Sequence, residues 1–255
     1  MSKKIKGDKL LKILLTGGTG RFASEIVKTI DAEFILLCRD LDKASKVYKN
    51  VKKSIQIYQV DLLIEQEISE RIKQILQYNE KIDVLINNAA VDINEEMTKT
   101  SNEDFEKLMK TNLFSPYWIS KLIIPYMIKN KAGRIINVSS GLSMKAAPYA
   151  VEYSMSKAGL DALSRGIAIQ YANQGIRCNS VNISGMEDYL VLVDGKPRST
   201  EKSIEGAKME FEKIPIGRYG KYSEYVSVIK FLCEKEADYI NGTNIIIDGG
   251  INSRR

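Results

Sequence analysis

The chain has 255 residues, 44% hydrophobic and 27% charged, with a net charge of +6 and no histidine. The missing imidazole excludes Ser-His-Asp and Cys-His catalysis and the H-E-x-x-H zinc site, so proton transfer near neutral pH falls to Tyr, Lys, Asp, Glu or Cys. Cys38, Cys178 and Cys233 lie far apart, which leaves no C-x-x-C motif, implies no metal and suits a reducing cytoplasm. The lysines are scattered singly, as on solvated helix faces, and no nucleic-acid partner is expected. The lysine-rich start lacks an apolar core and no run approaches ~18 apolar residues, so neither a signal peptide nor a membrane span is expected.

Short apolar runs at 13–15, 34–38, 55–60, 84–86, 135–138, 178–183 and 245–247 punctuate the chain. They are rich in β-branched residues and apolar throughout, as strands covered on both faces are. Helical spacing fills the gaps, for example Ile64, Ile68, Ile72, Ile75 and Leu76, and long helices are expected around 104–130 and 153–171. The alternation predicts a single α/β domain over 1–255: a Rossmann-like, doubly wound parallel sheet of about seven strands with helices on both faces. Residues 186–213 interrupt the path to the last strand with Gly, Pro and charge, and read as a flap over the site.

The first strand runs into Thr16-Gly17-Gly18-Thr19-Gly20-Arg21-Phe22-Ala23. Gly18, Gly20 and Ala23 fit G-x-G-x-x-A between a strand and a helix, where glycine lets the backbone approach a pyrophosphate seated on the helix N-terminus. The acid that binds a ribose 2′-hydroxyl is expected at the end of the second strand, where Cys38 and Arg39 stand, followed by Asp40. An arginine there grips a 2′-phosphate through a charge-assisted bond, so NADP(H) is predicted over NAD(H).

Three Tyr-x-x-x-Lys matches occur, at Tyr48/Lys52, Tyr117/Lys121 and Tyr153/Lys157. Only the third follows a buried strand ending in Ser139-Ser140 and opens a long helix with small residues. The i, i+4 spacing places Tyr153 and Lys157 on one helix face. A free tyrosine titrates near ~10, and lowering that by ~3 units requires about 4 kcal/mol in favour of the phenolate. One ammonium about 4 Å away supplies roughly that at an effective dielectric of about 20.

With these motifs in order, the sequence resembles the short-chain dehydrogenase/reductase family, in its compact branch that includes 3-oxoacyl reductases. The resemblance also rests on Asp61 after the third strand, Asn87-Asn88-Ala89-Ala90 after the fourth, and Asn112 in Thr111-Asn112-Leu113. It extends to Ile176-Arg177-Cys178-Asn179-Ser180-Val181, Pro215-Ile216-Gly217-Arg218 and Asp248-Gly249-Gly250. It implies hydride transfer between a nicotinamide and a carbonyl or secondary alcohol. Tyr153 would be the general acid in reduction and base in oxidation. Lys157 would lower its pKa and hold the nicotinamide ribose, Ser140 would bond the substrate oxygen, and Asn112 would hold a water relaying to Lys157. Asp61 and Leu62 would meet adenine, residues 87–90 would line the cofactor, and Gly185 and Met186 would approach the nicotinamide amide. A homotetramer (or homodimer) is the family's assembly.

The chain departs from that family in three places. The usual T-G-x-x-x-G-x-G is replaced by a spacing of Gly17, Gly20 and Ala23 that resembles the sugar-nucleotide branch. N-N-A-G becomes Asn-Asn-Ala-Ala, and Ile183-Ser184 stands where Pro-Gly is usual. Two other functions stay open on the sequence: a sugar-nucleotide epimerase or dehydratase with retained cofactor, and a catalytically silent cofactor-binding module. Lys196, Arg198, Lys202 and Lys208 in the flap leave room for an anionic or carrier-linked substrate, although a solvated loop reads as well.

Overall fold

The computed structural model describes residues 10–187 and 213–253. Seven strands, β1 (Lys12–Thr16), β2 (Glu33–Cys38), β3 (Ile55–Gln59), β4 (Val84–Asn87), β5 (Gly133–Ser140), β6 (Ile176–Ile183) and β7 (Asn244–Ile247), form one parallel sheet. Their order is β3-β2-β1-β4-β5-β6-β7. It reverses between β1 and β4, and the carboxyl ends of those two strands open the crevice where ligands bind in such sheets.

Each strand alternates its side chains between two buried layers. Ile13, Leu15, Leu36, Val84 and Ile86 face α1 (Arg21–Thr29) and the last helix, α7 (Tyr222–Leu232). Leu14, Ile35, Leu37 and Leu85 face α3 (Glu65–Tyr78), α5 (Ser115–Lys129) and α6 (Val151–Tyr171). Burial on both faces keeps the centres of β1, β2 and β4 apolar, whereas the edge strand β3, Ile55-Gln56-Ile57-Tyr58-Gln59, is only partly buried and alternates. The far end of α1 is clasped by Lys53, whose Nζ donates to the carbonyls of Val27, Lys28 and Ile30 at 2.7, 2.9 and 2.7 Å. That satisfies carbonyls a helix end leaves open.

Two sequence expectations change in detail. Ile64 is not on the buried stripe of α3; it is the residue before the helix and is 44% exposed, while Ile68, Ile72, Ile75 and Leu76 are buried. The single helix expected at 104–130 is α4 (Asn102–Met109), a π turn (Lys110–Phe114) and then α5. Of the expected flap, residues 188–212 lie outside the described residues. At its flanks Met186 pairs with Gly220 in a parallel bridge.

Candidate active site

The Gly-rich loop joins β1 to α1 through a left-handed Gly17, φ +69°. A Cβ there would sit 3.0 Å from the Ala89 Cα, so conformation and space both require glycine. Gly18 N–H donates to the Leu37 carbonyl at 3.0 Å, and a Cβ on Gly18 would meet Leu36 at 2.9 Å. Gly20 precedes α1 in an extended conformation, with no side-chain cap and no acid in the helix's first turn. The helix's first N–H groups thus face the crevice beside the partly exposed Thr19 and the exposed Arg21. Phe22 differs from its neighbours: its ring is buried against Tyr222 and Tyr225, so only its main chain belongs to the loop.

Thr16 ties this loop to β4. Its Oγ1 accepts from Asn88 N–H at 2.9 Å and Ala89 N–H at 3.0 Å, and the Asn88 amide donates to the Thr16 carbonyl at 3.0 Å. Asn88 and Ala89 thereby sit against Gly17, with Ala90 next in the chain, while Asn87 is buried and donates to Asn137 Oδ1 at 2.7 Å. From the other side the buried Tyr48 donates its hydroxyl hydrogen to the Gly18 carbonyl at 2.5 Å. Thr16 heads the Gly-rich motif and Tyr48 occurs in a Tyr-x-x-x-Lys match, but neither pattern indicates these ties to the loop.

At the end of β2, Cys38 is buried, with its Sγ 3.6 Å from the Asp40 carbonyl, and burial raises its thiol pKa. Asp40 accepts from Lys43 N–H at 2.8 Å and caps α2 (Leu41–Tyr48). Arg39 is exposed, and its guanidinium bonds to no described residue. Beyond β3, the Asp61 Oδ1 accepts from Leu63 N–H at 3.0 Å, and the neighbouring Leu62 is buried.

The residues expected to react come from three elements. Asn112 sits in the π turn, fully buried. Its Oδ1 accepts from Val91 N–H at 2.8 Å, and its Nδ2 donates to the Val91 carbonyl at 2.8 Å and to Ser156 Oγ at 3.1 Å. Ser140 ends β5; its Oγ accepts from Leu142 N–H at 3.2 Å, which leaves the hydroxyl hydrogen to point elsewhere. Tyr153 and Lys157 lie one turn apart on α6, with the Lys157 ammonium 5.6 Å from the centre of the Tyr153 ring. Lys157 is buried and its Nζ donates to the Val138 carbonyl at 2.8 Å, two residues before Ser140. Burial pushes its pKa down to about 8, against the pull of Asp161 and then Asp92.

Beyond β6, the Gly185 carbonyl accepts from Gly220 N–H at 3.1 Å and from the Tyr225 hydroxyl at 3.0 Å. A Cβ on Gly185 would strike the Tyr219 ring, so this segment and the 219–220 segment are fitted to one another.

One group of residues escaped sequence reading. Asp161, a further turn along α6 from Lys157, is buried, and its Oδ2 accepts from Ser143, Asn182 and Asn244 at 2.5, 3.1 and 2.9 Å. The signal that could have found it is an acid on the core face of a helix, between Leu160 and Ser164.

A family model described as Enoyl-(Acyl carrier protein) reductase matches residues 16–252. The chain is 31% identical to the 3-oxoacyl-(acyl-carrier-protein) reductase FabG of Thermotoga maritima over 213 residues, 83% of each protein. It is 34% identical to the 7alpha-hydroxysteroid dehydrogenase of Paraclostridium sordellii over 187 residues, 72% of this chain and 67% of that protein. Among solved structures, a gluconate 5-dehydrogenase from Burkholderia cenocepacia in complex with NADP and tartrate superposes with a TM-score of 0.86 at 21% identity, over 96% of each chain. At that identity the structural likeness speaks for the fold.

Proposed function

The chain belongs to the short-chain dehydrogenase/reductase family and is an oxidoreductase, and on that premise we propose that it moves hydride between NADP(H) and a carbonyl or secondary alcohol, with Tyr153 as acid/base. The observation that carries this reading is the placement of a buried ammonium, Lys157, between Tyr153 and the strand that ends in Ser140. The crevice fits a dinucleotide by its own chemistry. The start of α1, with no side-chain cap at Gly20 and no acid in its first turn, suits a pyrophosphate, and Gly17 leaves room for it.

A bound nicotinamide supplies or accepts the hydride. Tyr153 gives a proton to the substrate oxygen in reduction and takes one in oxidation. The Lys157 ammonium, 5.6 Å from the centre of the Tyr153 ring, favours the phenolate over the neutral phenol. Lys157 also holds the ribose of the nicotinamide. Ser140 donates its free hydroxyl hydrogen to the substrate oxygen and fixes its position. Both Asn112 Nδ2 hydrogens are committed to Val91 and Ser156, so a relay water is held by the spare Oδ1 lone pair or the main-chain carbonyl. Asp61 and Leu62 would hold the adenine, and Gly185 and Met186 the nicotinamide amide.

The preference for NADP(H) rests on β2's end. Asp40 holds one carboxylate oxygen on the cap of α2, which orients it toward that helix, whereas the Arg39 guanidinium bonds to no described residue. Relatives that reduce 3-oxoacyl groups on a carrier protein make a 3-oxoacyl thioester the first substrate to try. The whole chain, flap included, is read as one catalytic domain. Three free, buried cysteines suit a cytoplasmic enzyme.

The test is fluorescence titration with NADPH and NADH, then turnover on ketones, 3-oxoacyl thioesters and sugar nucleotides, with Tyr153→Phe as control. Loss of turnover in Tyr153→Phe with NADPH binding retained supports the reading. Binding of neither cofactor, or equal turnover in the variant, overturns it.

A further inference from the structure

Asp161 carries more than a structural acid needs. Its Oδ2 collects hydrogen bonds from three separate elements: Ser143 in the 3-10 turn Gly141–Ser143, Asn182 in β6 and Asn244 in β7. Asn182 shares its two amide hydrogens among Asp161 Oδ2, Ser143 Oγ at 2.7 Å and the Ser140 carbonyl at 3.1 Å. The turn that directly follows Ser140 is therefore pinned to α6 through one carboxylate. The other oxygen of that carboxylate, Oδ1, is buried and has no hydrogen-bond partner. A buried carboxylate oxygen without a donor is costly unless a cation answers it electrostatically. The ammonium four residues earlier on the same helix face is Lys157, and it forms no ion pair with any carboxylate among the described residues.

We propose that Asp161 is a positioning residue of the reaction centre, holding the turn after Ser140 in place and supplying the fixed negative charge opposite the Lys157 ammonium. The proposal rests on the hydride-transfer reading above. The groups facing Lys157 are Tyr153 on its own helix, the Val138 carbonyl from β5, Asp92 beyond β4 and Asp161. Asp92 is exposed and bonded to Asn94, whereas Asp161 is buried, so Asp161 acts with less solvent screening. Its influence raises the Lys157 pKa, opposing the larger effect of burial.

The two functions of Asp161 separate experimentally because Oδ1 has no donor aimed at it. In Asp161→Asn the amide oxygen can keep all three donors and the NH2 takes the place of Oδ1, so the network survives and the charge goes. Ser143→Ala does the reverse: the charge stays and the turn loses its tether. The readout is kcat for carbonyl reduction across pH. Turnover needs the ammonium, so it falls as pH rises through the Lys157 pKa. In Asp161→Asn this alkaline limb is expected to move about one pH unit lower, a tenfold loss of rate above both midpoints. In Ser143→Ala the limb stays and plateau kcat falls at least fivefold. An unmoved limb in Asp161→Asn overturns the electrostatic half, and an unchanged plateau in Ser143→Ala overturns the positioning half.

If Asp161→Asn fails to fold, the Ser143→Ala/Asn244→Ala pair strips two donors from the carboxylate. It is expected to lower kcat at least tenfold with the KM for NADPH within twofold; unchanged kcat overturns the proposal. Should the wild-type protein turn over nothing, the hydride-transfer reading fails by itself. The Lys157 midpoint is then followed in the protein alone by 13C NMR of labelled lysine, assigned with Lys157→Met. A lower midpoint in Asp161→Asn upholds the Asp161–Lys157 coupling, and the same midpoint removes it.

Discussion

Lys157 gives its ammonium hydrogen to the main-chain carbonyl of Val138 at 2.8 Å, in a site where burial holds the amine's pKa down at about 8. The fold thus carries a charge at a cost to its own stability. The unfolded amine titrates near ~10.4, so between pH 8 and that value the unfolded chain binds more protons than the folded one. Stability linked to this proton is fully present above about pH 10.4 and lost as pH falls through about 8. Lys157→Met is expected to be more stable than wild type by about 1–3 kcal/mol at pH 7, with no turnover. The difference should shrink as pH rises toward 10. Urea unfolding at the two pH values checks it, and a variant less stable at pH 7 contradicts it.

Cofactor choice is tested at β2's end. Arg39→Ala should weaken NADPH binding about tenfold or more and leave NADH unchanged, since a charge-assisted bond to phosphate contributes about 1.5–3 kcal/mol. Asp40→Ala should cost about 1 kcal/mol of stability as a lost helix cap and leave the NADPH-to-NADH ratio where it was. A ratio that moves with Asp40 and not with Arg39 reverses the assignment.

The Thr16 hydroxyl receives two main-chain N–H groups, from Asn88 and Ala89. Thr16→Val leaves both donors without that acceptor at nearly the same volume. A loss of about 2 kcal/mol or more is expected, with weaker binding of either cofactor. Thr16→Ser should restore both. Recovery of stability without recovery of binding would show that the loop's fit to the cofactor does not depend on this tie.

The outer faces of α5 and α6 leave Tyr117, Tyr126, Met155 and Ile169 in water, the last 84% exposed. Around the β7 edge Phe231, Tyr239 and Ile246 are exposed too. With these residues at contacts between copies, the expected assembly is a homotetramer. Light scattering should give four chains for the wild type and two for Met155→Glu/Ile169→Glu. A monomeric wild type rules the assembly out.

The central strands β1, β2 and β4 were legible because burial on both faces demands short apolar, β-branched runs; β3, β5 and β6 carry polar residues as well, and their place in the strand–helix alternation is what marked them. Tyr153 and Lys157 were legible because one helical turn separates them and a strand ending in serines precedes them. Which of the glycines at 17 and 18 turns left-handed was not, since adjacent glycines satisfy one turn equally on paper; the structure selects Gly17. Asp161 was hidden because an acid on a helix ordinarily reads as a solvated face. The π turn was hidden because one extra residue only shifts the phase of the hydrophobic stripe.

That π turn bears on how the chain tolerates changes of length. Ser115 N–H reaches back five residues to the Lys110 carbonyl, so the turn holds one residue more than an α turn. Deleting one residue between 110 and 114 would let helix run unbroken across the joint with ordinary bonding. It would also swing the two sides of the deletion by about 100° relative to each other. Asn112 could then no longer meet both polar groups of Val91 while its helix kept its place on the sheet. The helix would become more regular at the cost of the paired Asn112–Val91 hydrogen bonds, so the surplus residue is what holds Asn112 to the segment after β4.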